Sequence, residues 1–208
     1  MRLRRVKNAA QILLDCPFVI DNPGDYKNKY QSLFGNDNPI HIEIGMGKGQ
    51  FILNMALKYP KINFIGIEKY DSILVRAIEK IQEHELTNIK IICVDAGTIT
   101  DIFGEEISTI YLNFSDPWPK IRHAKRRLTS SVFLPLYESI LINEKQIIQK
   151  TDNIILFESS LESFKENGWM ILEESRNLAD SNIDTVTTEY EDKFRSMGQP
   201  IYYVKVTK

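Results

Sequence analysis

The residues best suited to chemistry lie in one stretch, Asn113-Phe114-Ser115-Asp116-Pro117-Trp118-Pro119-Lys120, which follows the apolar run Ile110-Tyr111-Leu112. Asp116 is an acid in a backbone restricted by Pro117 and Pro119, beside the Trp118 ring, so it can pair with the polar edge of a planar base while the ring stacks. Lys120, Arg122, Lys125, Arg126 and Arg127 come directly after. Cations at the rim of such a site position phosphates. A proline-rich turn with a packed tryptophan would account for the prolines and the ring but not for this basic run.

A second constellation is Gly45-Met46-Gly47-Lys48-Gly49, directly after the β-branched run Ile40-His41-Ile42-Glu43-Ile44. Glycines there let a ligand approach the backbone at the start of a helix, whose first N–H groups are free. The phosphate-loop pattern fails for want of a closing Gly-Lys-Ser/Thr, and the dinucleotide pattern fails because its third glycine falls at Gln50. The glycines alone are weak evidence, and the acids around them raise their value. Glu43 precedes the turn, Glu68 ends the next strand-like run where an acid can accept ribose hydroxyls, and Asp95 and Asp116 end the third and fourth. Four acids on neighbouring strand ends repel a pyrophosphate and suit a sulfonium with its α-amino group, which favours S-adenosylmethionine over a dinucleotide. Singly, each acid is as well explained as a helix cap or a solvated strand end. His41 and Cys93 read as packed side chains rather than ligands.

The elements that must position these groups alternate. Strands are predicted at 40–44, 62–67, 89–94, 107–114 and 146–150, and helices at 50–59, 71–85, 130–143 and 153–167. The 71–85 helix places Leu74, Ile78 and Ile81 on one face, and Gly168 suits the end of the last helix. Two closing strands at 169–174 and 201–207, the last antiparallel, flank a polar loop. The pattern predicts an α/β fold with a mostly parallel central sheet, helices on both faces and an antiparallel C-terminal strand, binding ligands beyond the carboxyl ends of its strands. Residues 1–39 carry Arg2, Arg4, Arg5 and Lys7 and several prolines and glycines without an apolar period, and read as a partly flexible N-terminal arm before a domain at 40–208.

The totals set the limits. With 208 residues, 43% hydrophobic and 26% charged, one core is expected, and a net charge of -2 means that any polyanion site is local. Cys16 and Cys93 form no metal-ligand or redox spacing, and no apolar stretch is long enough for a signal core or a membrane span. A cytoplasmic protein with no metal site and no membrane partner is expected.

The 113–120 stretch, followed by Arg122-His123 and Lys125-Arg126-Arg127-Leu128, resembles the signature of bacterial tRNA (guanine-N7-)-methyltransferases. The likeness extends to Glu43-Ile44-Gly45, Ile65-Gly66-Ile67-Glu68, Asp95-Ala96, Lys150-Thr151-Asp152-Asn153 and Thr188-Glu189-Tyr190-Glu191, and covers 40–206. It implies a Rossmann-like class I methyltransferase, monomeric or homodimeric, that moves a methyl group from S-adenosylmethionine to N7 of guanine 46 in the tRNA variable loop, with no DNA partner. It further implies that Glu43, Gly45, Gly47, Gly49, Glu68, Asp95, Ala96 and Asp116 form the cofactor region, with Asp116 also catalytic. Lys120, Asp152 and Thr188, Glu189, Tyr190 and Glu191 would hold the substrate, and Arg122, His123, Lys125, Arg126 and Arg127 would meet RNA.

Ile121 and Ala124 stand where a further basic residue and a histidine are expected, which loosens the RNA contact, and 142–146 lacks the usual glycine turn. Thr188-x-x-Glu191 also reads as a capping box opening a helix through Phe194, and Thr151-Asp152-Asn153 as a helix cap. Two rival readings remain. An acid, two prolines and an aromatic also suit an amino-group methyltransferase acting on a flipped base, and an RNA-binding module with a dead cofactor pocket would share the basic rim.

Overall fold

The computed structural model describes residues 6–208, so Arg2, Arg4 and Arg5 lie outside the described residues. In chain order the elements are α1 (Ala9–Leu14), β1 (Ile40–Ile44), α2 (Gln50–Lys58), β2 (Asn63–Glu68), α3 (Asp71–Ile81), β3 (Ile89–Cys93), α4 (Ile99–Ile102), β4 (Ile107–Asn113), α5 (Leu134–Glu138), β5 (Leu141–Thr151), α6 (Ile154–Glu166), β6 (Met170–Ser175), α7 (Glu189–Ser196) and β7 (Tyr202–Thr207). Short 3₁₀ turns join several of them.

The strands form one seven-stranded sheet in the order β3-β2-β1-β4-β5-β7-β6. The first five pair in parallel, and β7 runs antiparallel to both β5 and β6. Side chains alternate between faces, so the two faces collect different residues. Ile65, Ile67, Ile110 and Leu112 pack with Leu134, Phe157 and Leu161, whereas Phe64 and Tyr111 pack with Phe51, Leu53, Leu74 and Ile78. Helices on both faces follow directly, and with them the largely buried central strands β1 to β4.

The helix expected over 130–143 is shorter, and β5 starts already at Leu141. Ile140 and Leu141 are fully buried and Leu141 pairs with Ile107, so this apolar run serves a strand; so short a run carries no period that separates helix from strand. Where a glycine turn was missing, Asn143 takes φ 53, a left-handed conformation that asparagine tolerates.

Residues 6–39 lie on the domain rather than away from it. Leu13 and Cys16 are buried, Val19 bridges Ile91 on the outer edge of β3, and the Glu106 carboxylate accepts the amides of Asn28 (2.8 Å) and Tyr30 (3.1 Å). These anchors are single and irregularly spaced, so no periodic pattern announces them. The polar loop before β7 contains α7, whose N-terminus keeps one half of the expected capping box: Thr188 Oγ1 accepts the Glu191 amide at 2.9 Å, while the Glu191 carboxylate turns to Lys150 and Arg195 instead of the Thr188 amide.

Candidate active site

The crossovers change direction between β1 and β4, which are neighbours although not consecutive in sequence. A crevice opens beyond the carboxyl ends of strands at such a point. Because β3, β2, β1 and β4 are adjacent, Asp95, Glu68, Glu43 and Asp116 stand on four neighbouring strands or just past them.

The glycine turn is folded back on β2: the Gly45 and Met46 amides both donate to the Ile67 carbonyl (2.8 and 3.0 Å). Gly45 and Gly47 have φ 79 and 55, and a Cβ on either would meet nothing within 4 Å, so both the backbone conformation and an open face call for glycine. Gly49, the N-cap of α2, is needed for packing as well, since its Cβ would stand 3.0 Å from that of Ala77 in α3.

Each acid has its own environment. Glu68 accepts the amides of Gly47 (3.1 Å), Lys69 (2.9 Å) and Tyr70 (3.1 Å), so it ties the end of β2 to the glycine turn. Burial pushes its carboxyl up, and those three amides pull it back. Asp95 pairs with Lys69 at 2.7 Å and caps the 3₁₀ turn Ala96–Thr98 through Gly97, two contacts that hold its carboxyl below the usual range. Glu43 is buried; its Oε1 accepts Asn113 Nδ2 at 2.9 Å, while Oε2 has no partner among the described residues. Burial raises its carboxyl to about 7, against the lowering effect of Asn113 and Lys150.

Unpartnered buried oxygens gather at the ends of β1 and β4: Glu43 Oε2, Asn113 Oδ1 and Ser115 Oγ. Acceptors without donors, beside an open glycine face and among four acids, fit a cofactor that carries positive charge and N–H groups.

The Asp116 loop is strained. Phe114 (φ 49) and Trp118 (φ 40) both sit in the left-handed region, where aromatic residues are rare and Trp118 is further restricted by the proline after it. Three hydrogen bonds hold it. The Phe114 amide donates to the Lys150 carbonyl (2.9 Å), and Arg127 donates from Nε to the Pro117 carbonyl (3.0 Å) and from Nη2 to that of Trp118 (3.2 Å). The Arg126 guanidinium lies 4.8 Å from the Trp118 ring centre and His123 meets its edge, so the indole is already covered on one side. Asp116, Lys120, Arg122 and Lys125 are exposed, and none of these cations pairs with a carboxylate among the described residues. Ile121 is 91% exposed, an apolar side chain in the middle of the basic rim.

α7 brings the last group of expected residues to the site. The Tyr190 ring, exposed, stacks beside Phe114 with centroids 6.1 Å apart, and Glu189 pairs with Lys48 of the glycine turn (3.7 Å) and with Lys80. Glu191 is fully buried on Lys150 (2.9 Å) and Arg195 (2.6 Å). Asp152 is exposed just past the end of β5, with Asn153 capping α6. Sequence reasoning did not single out Asn113 as the partner of Glu43, nor Lys150 as a buried charge. The one available signal was a lysine placed shortly after the apolar pair Ile147-Ile148, near the end of β5.

His41 is packed as expected, with Nδ1 3.1 Å from the Tyr111 hydroxyl and its pKa lowered to about 4 by burial. Among the described residues no His, Cys, Asp and Glu cluster could hold a metal ion, and no helix is long and apolar enough to cross a membrane.

A family model described as "Putative methyltransferase" matches residues 37–204. The chain is 50% identical over 209 residues to the tRNA (guanine-N(7)-)-methyltransferase of Bacillus subtilis (strain 168), a match covering 99% of this chain and 98% of that one. It is 49% identical to the protein of the same name from Lachnoclostridium phytofermentans, over 97% of this chain and 96% of the relative. Among solved structures, an antibiotic related methyltransferase superposes with a TM-score of 0.62 at 17% identity, covering 93% of this chain and 97% of that one. The 16S rRNA methyltransferase KamB gives 0.63 at 13% identity, covering 86% and 92%. The last two likenesses establish the shared methyltransferase fold.

Proposed function

The chain belongs to the tRNA (guanine-N(7)-)-methyltransferase family, and from that premise we propose that it methylates N7 of guanine 46 in the variable loop of tRNA, with S-adenosylmethionine as donor. The observation that carries the reading is the meeting of an acid-lined crevice, open at Gly45 and Gly47, with a strained Asp116 loop flanked by exposed cations. Residues 40–208 act as the methyltransferase domain and 1–39 as its N-terminal arm, in the cytoplasm.

S-adenosylmethionine supplies a methyl group made electrophilic by its sulfonium. Glu43, Glu68 and Asp95 set a negative field for that charge, and the free Glu43 Oε2 and Asn113 Oδ1 are acceptors for N–H groups. Ala96 lies in the turn that Asp95 caps, beside the same crevice. Guanine N7 offers a lone pair in its neutral form, so no base need remove a proton first. The task is to hold the acceptor in line, and positioning of this kind can lower a barrier by roughly 7–11 kcal/mol. Asp116 accepts the N–H edge of the guanine and offsets the positive charge that grows on the ring. Lys120, Arg122 and Lys125 reach the RNA phosphates; Arg126 and Arg127 add charge there while also shaping the loop.

The test is incubation of the protein with labelled S-adenosylmethionine and unmodified tRNA, followed by mapping of the modified nucleotide. N7-methylguanine at position 46 is expected, lost with Asp116→Ala and strongly reduced with Asp116→Asn. Near-normal turnover in both variants would refute the role of Asp116. A methylated exocyclic amine would favour an amino-group enzyme, and absence of cofactor binding a binding module.

A further inference from the structure

We infer that Lys150 is a positioning residue that sets the 185–191 segment in register with the Asp116 loop. The inference rests on the methyl-transfer reading above for its functional meaning, but its geometry stands apart from it. Lys150 is the one fully buried lysine or arginine among the described residues. Its ammonium has three donors, and all three are used: on Thr185 Oγ1 (3.0 Å), the Val186 carbonyl (2.7 Å) and Glu191 Oε2 (2.9 Å). Every acceptor belongs to the stretch that leads into and begins α7.

The main chain of the same residue does the complementary job. Lys150 pairs in register with Asn113 of β4, and its carbonyl takes the Phe114 amide, the root of the Asp116 loop. Asn113 in turn holds Glu43 on β1. One residue thus links the root of the Asp116 loop, through its backbone, to the segment that carries Thr188, Glu189 and Tyr190, through its side chain.

Stability alone does not account for a charge in this place, because buried ion pairs are commonly no more stabilising than apolar side chains of the same volume. What the ammonium adds is direction: three acceptors converge on one point and admit one placement of the segment. Glu191 therefore acts through Lys150 and Arg195, and not on substrate, since its carboxylate is fully buried and committed to both. The group presented outward is Tyr190, lying along Phe114 at the root of the Asp116 loop.

The experiment compares the full chain with Lys150→Met, which keeps an unbranched chain one atom shorter and removes the charge, and with Thr185→Val, which removes one acceptor and no charge. Steady-state methylation gives kcat and KM for unmodified tRNA, titration gives S-adenosylmethionine affinity, and amide exchange of the free protein reads the Glu191 and Asp192 amides held by Thr188. Lys150→Met should raise the tRNA KM about tenfold while cofactor affinity stays within about twofold, and both amides should lose protection. Thr185→Val should shift the same quantities in the same direction, by about threefold in KM. A folded Lys150→Met with unchanged KM and protection would overturn the inference, as would equal losses in tRNA KM and cofactor binding. If Lys150→Met does not fold, Thr185→Val decides by the same criteria. If the wild-type protein itself does not methylate tRNA, the functional reading fails, and amide exchange still decides whether Lys150 anchors the segment.

Discussion

Replacing Glu43 with glutamine should make the free protein more stable above neutral pH and leave it nearly unchanged in mild acid. The Glu43 carboxyl is raised from 4.5 to about 7, chiefly by burial. A carboxyl whose folded pKa lies above its unfolded one holds its proton more tightly when folded. Its contribution to stability is fully present below pH 4.5 and is lost as pH rises through 7. At about 1.4 kcal/mol per pKa unit, ionisation of this one buried group costs about 3 kcal/mol by pH 8. Glutamine carries no charge and can still accept the Asn113 amide through its Oε1, so the variant escapes that loss. For a chain of this size about 3 kcal/mol corresponds to roughly 6–12 °C in Tm. Scanning calorimetry of both proteins at pH 5 and pH 8, without ligand, checks it. A Tm difference that does not grow with pH, or that grows in favour of the wild type, would refute the argument. The counterpart lies in binding: a cationic cofactor favours the ionised carboxylate, so binding near pH 7 should release protons in the wild type, seen as buffer-dependent heat, and release fewer with weaker affinity in Glu43→Gln.

Arg127 and Lys125 should fail differently. Arg127→Met removes two charged hydrogen bonds from the Pro117 and Trp118 carbonyls and should lower kcat by loosening the loop, whereas Lys125→Ala should reduce the slope of log affinity for tRNA against log salt by about 0.7–0.9; identical effects on kcat and slope would contradict the division. Glu106→Ala strips the acceptor from the Asn28, Tyr30 and Gly104 amides and should cost about 2 kcal/mol in urea unfolding, an unchanged midpoint meaning that Tyr30 burial alone holds the segment.

Much of the site is local enough to be read along the chain. The β-branched runs, the glycines after β1, acids at the ends of strands, the N-cap at Thr188 and the boxed Asp116 each obey rules that span a few residues: alternation, positive φ, helix capping and proline restriction. The order of the strands gave those acids a common crevice, and that order follows from helices covering both faces of a parallel sheet.

Other features had no local cause. Arg127 sits in a run of cations, and only the folded loop turns it inward onto two carbonyls; Leu141 joined β5, with Ile140 just ahead of it, because Ile107 was there to pair and a core there to bury them. Lys150 and Glu191 lie 41 residues apart, and nothing near either one announces the other. The sequence by itself determined which kinds of group stand at the strand ends, because short-range geometry selects residue types. The tertiary structure alone decided which of them are satisfied by one another and which are left facing the crevice, because a buried charge or hydrogen-bonding group takes its partner from whatever packing brings within about 3 Å.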